Sequence, residues 1–129
     1  MNTHSVKHLG GLLLILITAT LQSTIYGQDC SKLPTTFTSY DQATSLVKNS
    51  VFRLKETVDT SKSSWIRGAT FYSCDGVKGF LILKTDSHEY IHQNVPIDVW
   101  RGFKQADSFG SYYNANIQGN YRLFLTKSQ

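Results

Sequence analysis

The sequence predicts an α+β fold, a small antiparallel meander of three to four strands with two to three short helices packed on one face. Three observations predict it. Between Trp65 and Val95 lie three successive runs rich in aromatic and β-branched residues, separated by short polar stretches. Asp75-Gly76 divides the first two runs, a dipeptide suited to a tight hairpin. After Pro96 the apolar residues change to helical spacing.

The N-terminus reads as a leader. Lys7 and His8 precede an uncharged run, Leu9 to Leu21 (LGGLLLILITATL), and then the polar Gln22-Ser23-Thr24. A spanning helix needs about 20 apolar residues, so this run fits a secretory signal peptide over 1–27 with cleavage after Gly27. Gln28-Asp29 before Cys30 are not the small residues a lipobox requires. The expected product is an exported protein with no membrane span in its mature chain, periplasmic or extracellular.

Residues 28–63 form an N-terminal extension with one helix and one strand, expected to pack on the domain. Pro34 and a Thr/Ser cluster mark an irregular lead-in. Ala43, Leu46 and Val47 fall at helical spacing after Tyr40-Asp41, and Asn49-Ser50 ends the helix. From Val51 to Val58 the residues alternate with period two, as in a strand, and a polar turn follows from Asp59 to Ser63. The domain proper, 64–123, holds strands over Trp65–Cys74, Val77–Leu83 and His88–Val95, with a turn at Thr85-Asp86-Ser87. Pro96 suits the first position of a helix and Asp98 its positive end. Val99, Trp100, Phe103 and Ala106 give that helix an apolar stripe. A second helix runs from about Ser108 through Tyr112 and Tyr113 and stops at Gly119, and residues 124–129 are a tail.

Charge is uninformative about partners. Of 13 basic residues Lys7 goes with the leader, leaving a small excess over 9 acidic residues and no long run of either sign. Cys30 and Cys74 are the two cysteines, and in an oxidising compartment they are expected to pair.

One motif invites an enzymatic reading. His88-Glu89-Tyr90-Ile91-His92 fits H-E-x-x-H, the zinc-peptidase pattern. That chemistry needs a helix, where residues four apart are about 6 Å apart along the axis. On the strand expected here the histidines are roughly 13 Å apart and Glu89 points the other way. Pro96 would stop a helix after two turns, and no His or Glu follows His92. The chain also lacks a G-x-S-x-G elbow, a phosphate-binding glycine loop and a C-x-x-C. No catalytic residue, metal or cofactor is therefore expected.

From about Ser64 to Leu123 the chain resembles the KTSC domain, a small domain also found at the C-terminus of some lysyl-tRNA synthetases and alone in bacterial proteins. The residues that carry the resemblance are Ser64, Ile66 and Tyr72, then Tyr90-Ile91-His92 and Val95-Pro96. Ala106 to Gly110, Tyr112-Tyr113-Asn114, Ile117 and Tyr121 continue it. His92 stands where the family has a second tyrosine, and Gln118 where an arginine is common. The family has no established activity, and its synthetase context implies RNA binding. Export and the missing basic residue weigh against that role here.

Two classes of function remain. The first is a non-catalytic module recognising protein or glycan through Tyr90, His92, Trp100, Arg101, Tyr112, Tyr113 and Asn114, since aromatic rings with polar tips suit recognition. The second is single-stranded nucleic-acid binding, with Tyr90 and His92 stacking on bases and Arg67, Arg101, Lys104 or Arg122 meeting phosphates.

Overall fold

The computed structural model describes residues 27–127. All of the leader reading except Gly27 lies outside the described residues. After a 3-10 turn, Cys30–Lys32, the elements are α1 (Tyr40–Asn49), β1 (Leu54–Val58), β2 (Gly68–Ser73), β3 (Lys78–Lys84), β4 (Glu89–Pro96), α2 (Ile97–Gln105) and α3 (Phe109–Asn116). The four strands form one antiparallel sheet in sequence order, an up-and-down meander in an α+β fold. Among the described residues no helix is long and apolar enough to cross a membrane.

Alternation along the strands divides the interior in two. Ala69, Phe71, Leu81 and Leu83 face α2 and α3, where they meet Trp100, Phe103, Phe109, Tyr113 and Ile117. Tyr72, Ile82 and Ile91 face the other way, against Phe37, Leu123 and the α1 residues Ala43 and Val47. The helices thus occupy both faces, not one as the sequence predicts. The reason is that the strands are apolar on both sides, so a single helical layer leaves Tyr72, Ile82 and Ile91 uncovered. Residues 28–63 are integral to this arrangement, because β1 pairs with β2 from Leu54↔Ser73 to Val58↔Ala69.

Local chemistry explains the boundaries. The Ser39 hydroxyl accepts from the Gln42 N–H and starts α1, and Ser108 does the same for α3 through Ser111 N–H. β1 begins at Leu54 instead of Val51, because Val51 exchanges backbone bonds with Gln28 and Cys30 in the lead-in. Asp75-Gly76 is not a two-residue hairpin. Only Gly76 has positive φ (75°), and the Asp75 carboxylate accepts from Val77 and Lys78 N–H across a longer loop. These backbone donors, Lys78 first, lower the Asp75 pKa. Pro96 pairs with Lys78 as the last residue of β4 and is the N-cap of α2, one position before the first helical residue. A disulfide joins Cys30 to Cys74 across a Cα–Cα distance of 5.8 Å, tying the lead-in to the β2–β3 loop.

β4 carries a bulge. Gly79 pairs with Val95 but Leu81 with His92, so β4 holds one extra residue there. Asn94 takes it up at φ 58°, a conformation asparagine tolerates better than most residues. The extra residue returns Val95 to the α2–α3 face alongside Leu81 and Leu83.

Candidate functional site

β4 is an edge strand, and a cleft of about 860 Å³ runs along its free side. Tyr40 at the start of α1 overhangs it from one face of the sheet, and Asn114 of α3 from the other. Tyr90, Ile91 and His92 line it from β4, and Gln118, Gly119 and Arg122 close it where the chain leaves α3.

The inner wall is built from aromatic rings. Trp65 packs edge-on to Tyr113 at 5.8 Å between ring centroids, and Tyr113 packs edge-on to His92 at 5.4 Å. Trp65 also lies against Gly110 so closely that a β-carbon there would sit 2.4 Å from the indole nitrogen, which explains the glycine in α3. The Tyr113 hydroxyl lies 2.9 Å from His92 Nε2. Burial pushes the Tyr113 phenol up to about 12, so it keeps its proton and donates. Burial lowers the His92 pKa, opposed by the Tyr121 carbonyl, so the imidazole is neutral and Nε2 accepts. This pair is fixed scaffolding: His92 is 8% exposed and Tyr113 5%.

The outer wall is open. Tyr40 is 54% exposed and Tyr90 43%, with the His88 ring stacked beside Tyr90 at 5.9 Å. The side chains of Asn114, Gln118 and Arg122 are exposed and, among the described residues, make no side-chain hydrogen bond or ion pair with the protein. Glu89, the one carboxylate lining the cleft, is held by Lys48 Nζ at 2.6 and 2.7 Å.

Of the residues singled out from sequence, Tyr90, His92, Tyr113 and Asn114 come together here. Three do not. Trp100 is fully buried, stacked on Phe71 and Phe103. Its indole N–H has no acceptor at hydrogen-bonding geometry, though it influences the nearby Glu56 carboxylate. Arg101 is exposed on α2 beside Asp98. Tyr112 packs on α2, its hydroxyl donating to the Val99 carbonyl. The basic residues named as phosphate contacts are also dispersed. Arg67 pairs with Asp86 and Lys104 with Glu56, which leaves Arg122 in the cleft. The Lys104 ammonium is the largest influence lowering the Glu56 pKa.

The H-E-x-x-H residues diverge. His88 lies in the turn before β4, Glu89 reaches to α1, and His92 faces α3. Among the described residues Asp29, Cys30 and Cys74 are grouped closely enough for one ion, but both sulfurs are spent in the disulfide.

Tyr40, Trp65 and Gln118 were missed from sequence as cleft residues. Tyr40 left a misleading signal, because three and seven residues before Ala43 and Val47 it falls on the buried stripe of its helix, yet it is exposed at the first turn. A family model described as KTSC domain matches residues 83–121, which supports the resemblance over β4, α2 and α3. No curated protein and no solved structure matches the chain.

Proposed function

We propose that the protein is an exported, non-catalytic binding module that holds a protein or glycan ligand in the cleft along β4. The observation that carries this reading is the convergence of exposed aromatic rings and unpaired polar side chains on one cleft. Away from the cleft, Arg67, Lys104 and Tyr112 are tied to other parts of the fold. Inside it, Asn114, Gln118 and Arg122 stand uncommitted beside two exposed tyrosines. Ligand sites commonly combine a mostly apolar surface with a few converging polar groups. The disulfide is consistent with an oxidising compartment outside the cytoplasm. A glycosidase needs a second carboxylate, and among the described residues the cleft lining offers Glu89 alone, already held by Lys48.

Single-stranded RNA is the second reading. Arg122 lines the same cleft as Tyr90, which supports it, since a base could stack on the ring while the guanidinium meets a phosphate. The other three cations do not line the cleft, so the electrostatic part of such binding would be small.

The test is a screen of glycans and extended peptides, with single-stranded RNA titrated at low and physiological salt and heparin as the polyanion control. A glycan or peptide ligand lost in Tyr90→Ala without a change in melting temperature is the expected result. RNA binding that exceeds heparin binding and falls steeply with salt would put the second reading first.

A further inference from the structure

Taking the cleft as the ligand site, we propose that it accepts an acidic oligosaccharide, a chain containing uronate sugars. Charge gives the first reason. Glu89 is neutralised by Lys48, whereas Arg122 has no carboxylate partner among the described residues. The lining therefore presents one unopposed guanidinium, which matches a single carboxylate in bidentate geometry.

The shape and chemistry of the walls give the second reason. Tyr40 and Tyr90 offer exposed rings, on which the C–H face of a pyranose can lie. Asn114 and Gln118 each bring a free amide, a donor pair and an acceptor on one group. Vicinal hydroxyls on a sugar ring demand that combination of donor and acceptor.

An extended peptide fits less well. The bond from Thr85 N–H to the His88 carbonyl sets the phase of the β3–β4 ladder. Tyr90 and His92 then bond to β3, while the main-chain groups of Ile91 and Gln93 face the free edge. The Gln93 N–H is already taken by the Tyr121 carbonyl, and Ile91 is only 3% exposed. By the same alternation Glu89 is the one exposed residue here whose main-chain groups face the free edge, too short a stretch to capture a strand. Nucleic acid fits less well too, because a phosphate backbone calls for a row of cations and the cleft has one unpaired.

The experiment titrates the disulfide-bonded protein with trimeric galacturonate and mannuronate, with their methyl esters, and with an extended acidic peptide. Calorimetry gives affinity, and amide chemical shifts give location. A uronate trimer should bind at the cleft at least 10-fold more tightly than its ester. Arg122→Gln should bring acid and ester to the same affinity, and Tyr90→Ala should weaken both, with melting temperatures unchanged. Equal affinity for acid and ester in the wild type overturns the charge requirement. Peptide binding lost in Tyr90→Ala, with no response to any sugar, overturns this inference but leaves the binding-module reading standing. No cleft response to sugar or peptide in the folded protein overturns the inference and counts against that reading as well.

Discussion

The Tyr113 hydroxyl donates to His92 Nε2 across 2.9 Å, a buried bond that fastens α3 to the edge strand. Tyr113→Phe removes the donor and keeps the ring, leaving Nε2 buried without a partner. A cost of about 1–3 kcal/mol is expected in urea unfolding, because a stranded buried acceptor loses its solvation as well as its bond. A loss below about 0.5 kcal/mol would mean that water reaches Nε2 and that this wall of the cleft is looser than described.

The same histidine makes stability depend on pH. Its folded pKa lies below the ordinary 6.5, chiefly through burial. As pH falls below that ordinary value the unfolded chain takes up a proton that the folded chain refuses, so stability declines. Above it the effect vanishes. One group contributes at most about 1.4 kcal/mol per pH unit. Wild-type protein should lose stability between pH 7.5 and 5, and His92→Gln should lose much less over the same interval. Asp75 and Glu56, held low by their partners, act in the same direction only at more acidic pH. Equal slopes for wild type and variant would remove His92 as the source.

Two aromatic residues named together from the sequence should behave oppositely. Trp100→Ala empties the space between Phe71 and Phe103 and should cost about 3–5 kcal/mol. Tyr90→Ala should leave the melting temperature within a degree or two and weaken ligand binding. A parallel loss of stability in both would make Tyr90 part of the packing instead of the site.

Cys30→Ser/Cys74→Ser opens a loop of 44 residues in sequence separation. Chain entropy puts the cost near 4 kcal/mol, with smaller values common in practice. Guanidinium unfolding of the variant against the oxidised protein measures it. No difference would mean that the lead-in bonds between Val51, Gln28 and Cys30 hold the segment without the bridge.

The sequence made α1 legible because Ala43, Leu46 and Val47 fall at helical spacing after Tyr40-Asp41. The β2–β3–β4 meander was legible because aromatic and β-branched runs alternate with polar turns. The face occupied by α1 was not. Residues such as Tyr72 and Ile82 are apolar on the side opposite Phe71 and Leu81, and a near-continuous apolar strand does not say what covers each side. The bulge was hidden because Asn94 is an ordinary polar residue until its φ is known. Trp100 stood in the sequence both in the apolar stripe of its helix and among the recognition residues, and its full burial places it in the stripe. Half of the proposed site was legible, because Tyr90, His92, Tyr113 and Asn114 lie near the strand and helix ends that build it. Tyr40, Trp65 and Gln118 belong to segments far apart in sequence, and only the folded sheet edge brings them together.

Phe37 accepts from Thr126 N–H and donates to the Phe124 carbonyl, contacts that join residues 89 and 87 positions apart. This sets an order of events during synthesis. The α2–α3 face of the sheet can assemble as soon as Ile117 is in place, from segments that follow one another closely. The α1 face has to wait for Leu123 and the strand-like stretch behind it, so Phe37 stays incompletely covered until residues 123–126 have been made. A chain cut before Leu123 would present that apolar face to its surroundings, and aggregation is the outcome to expect of it.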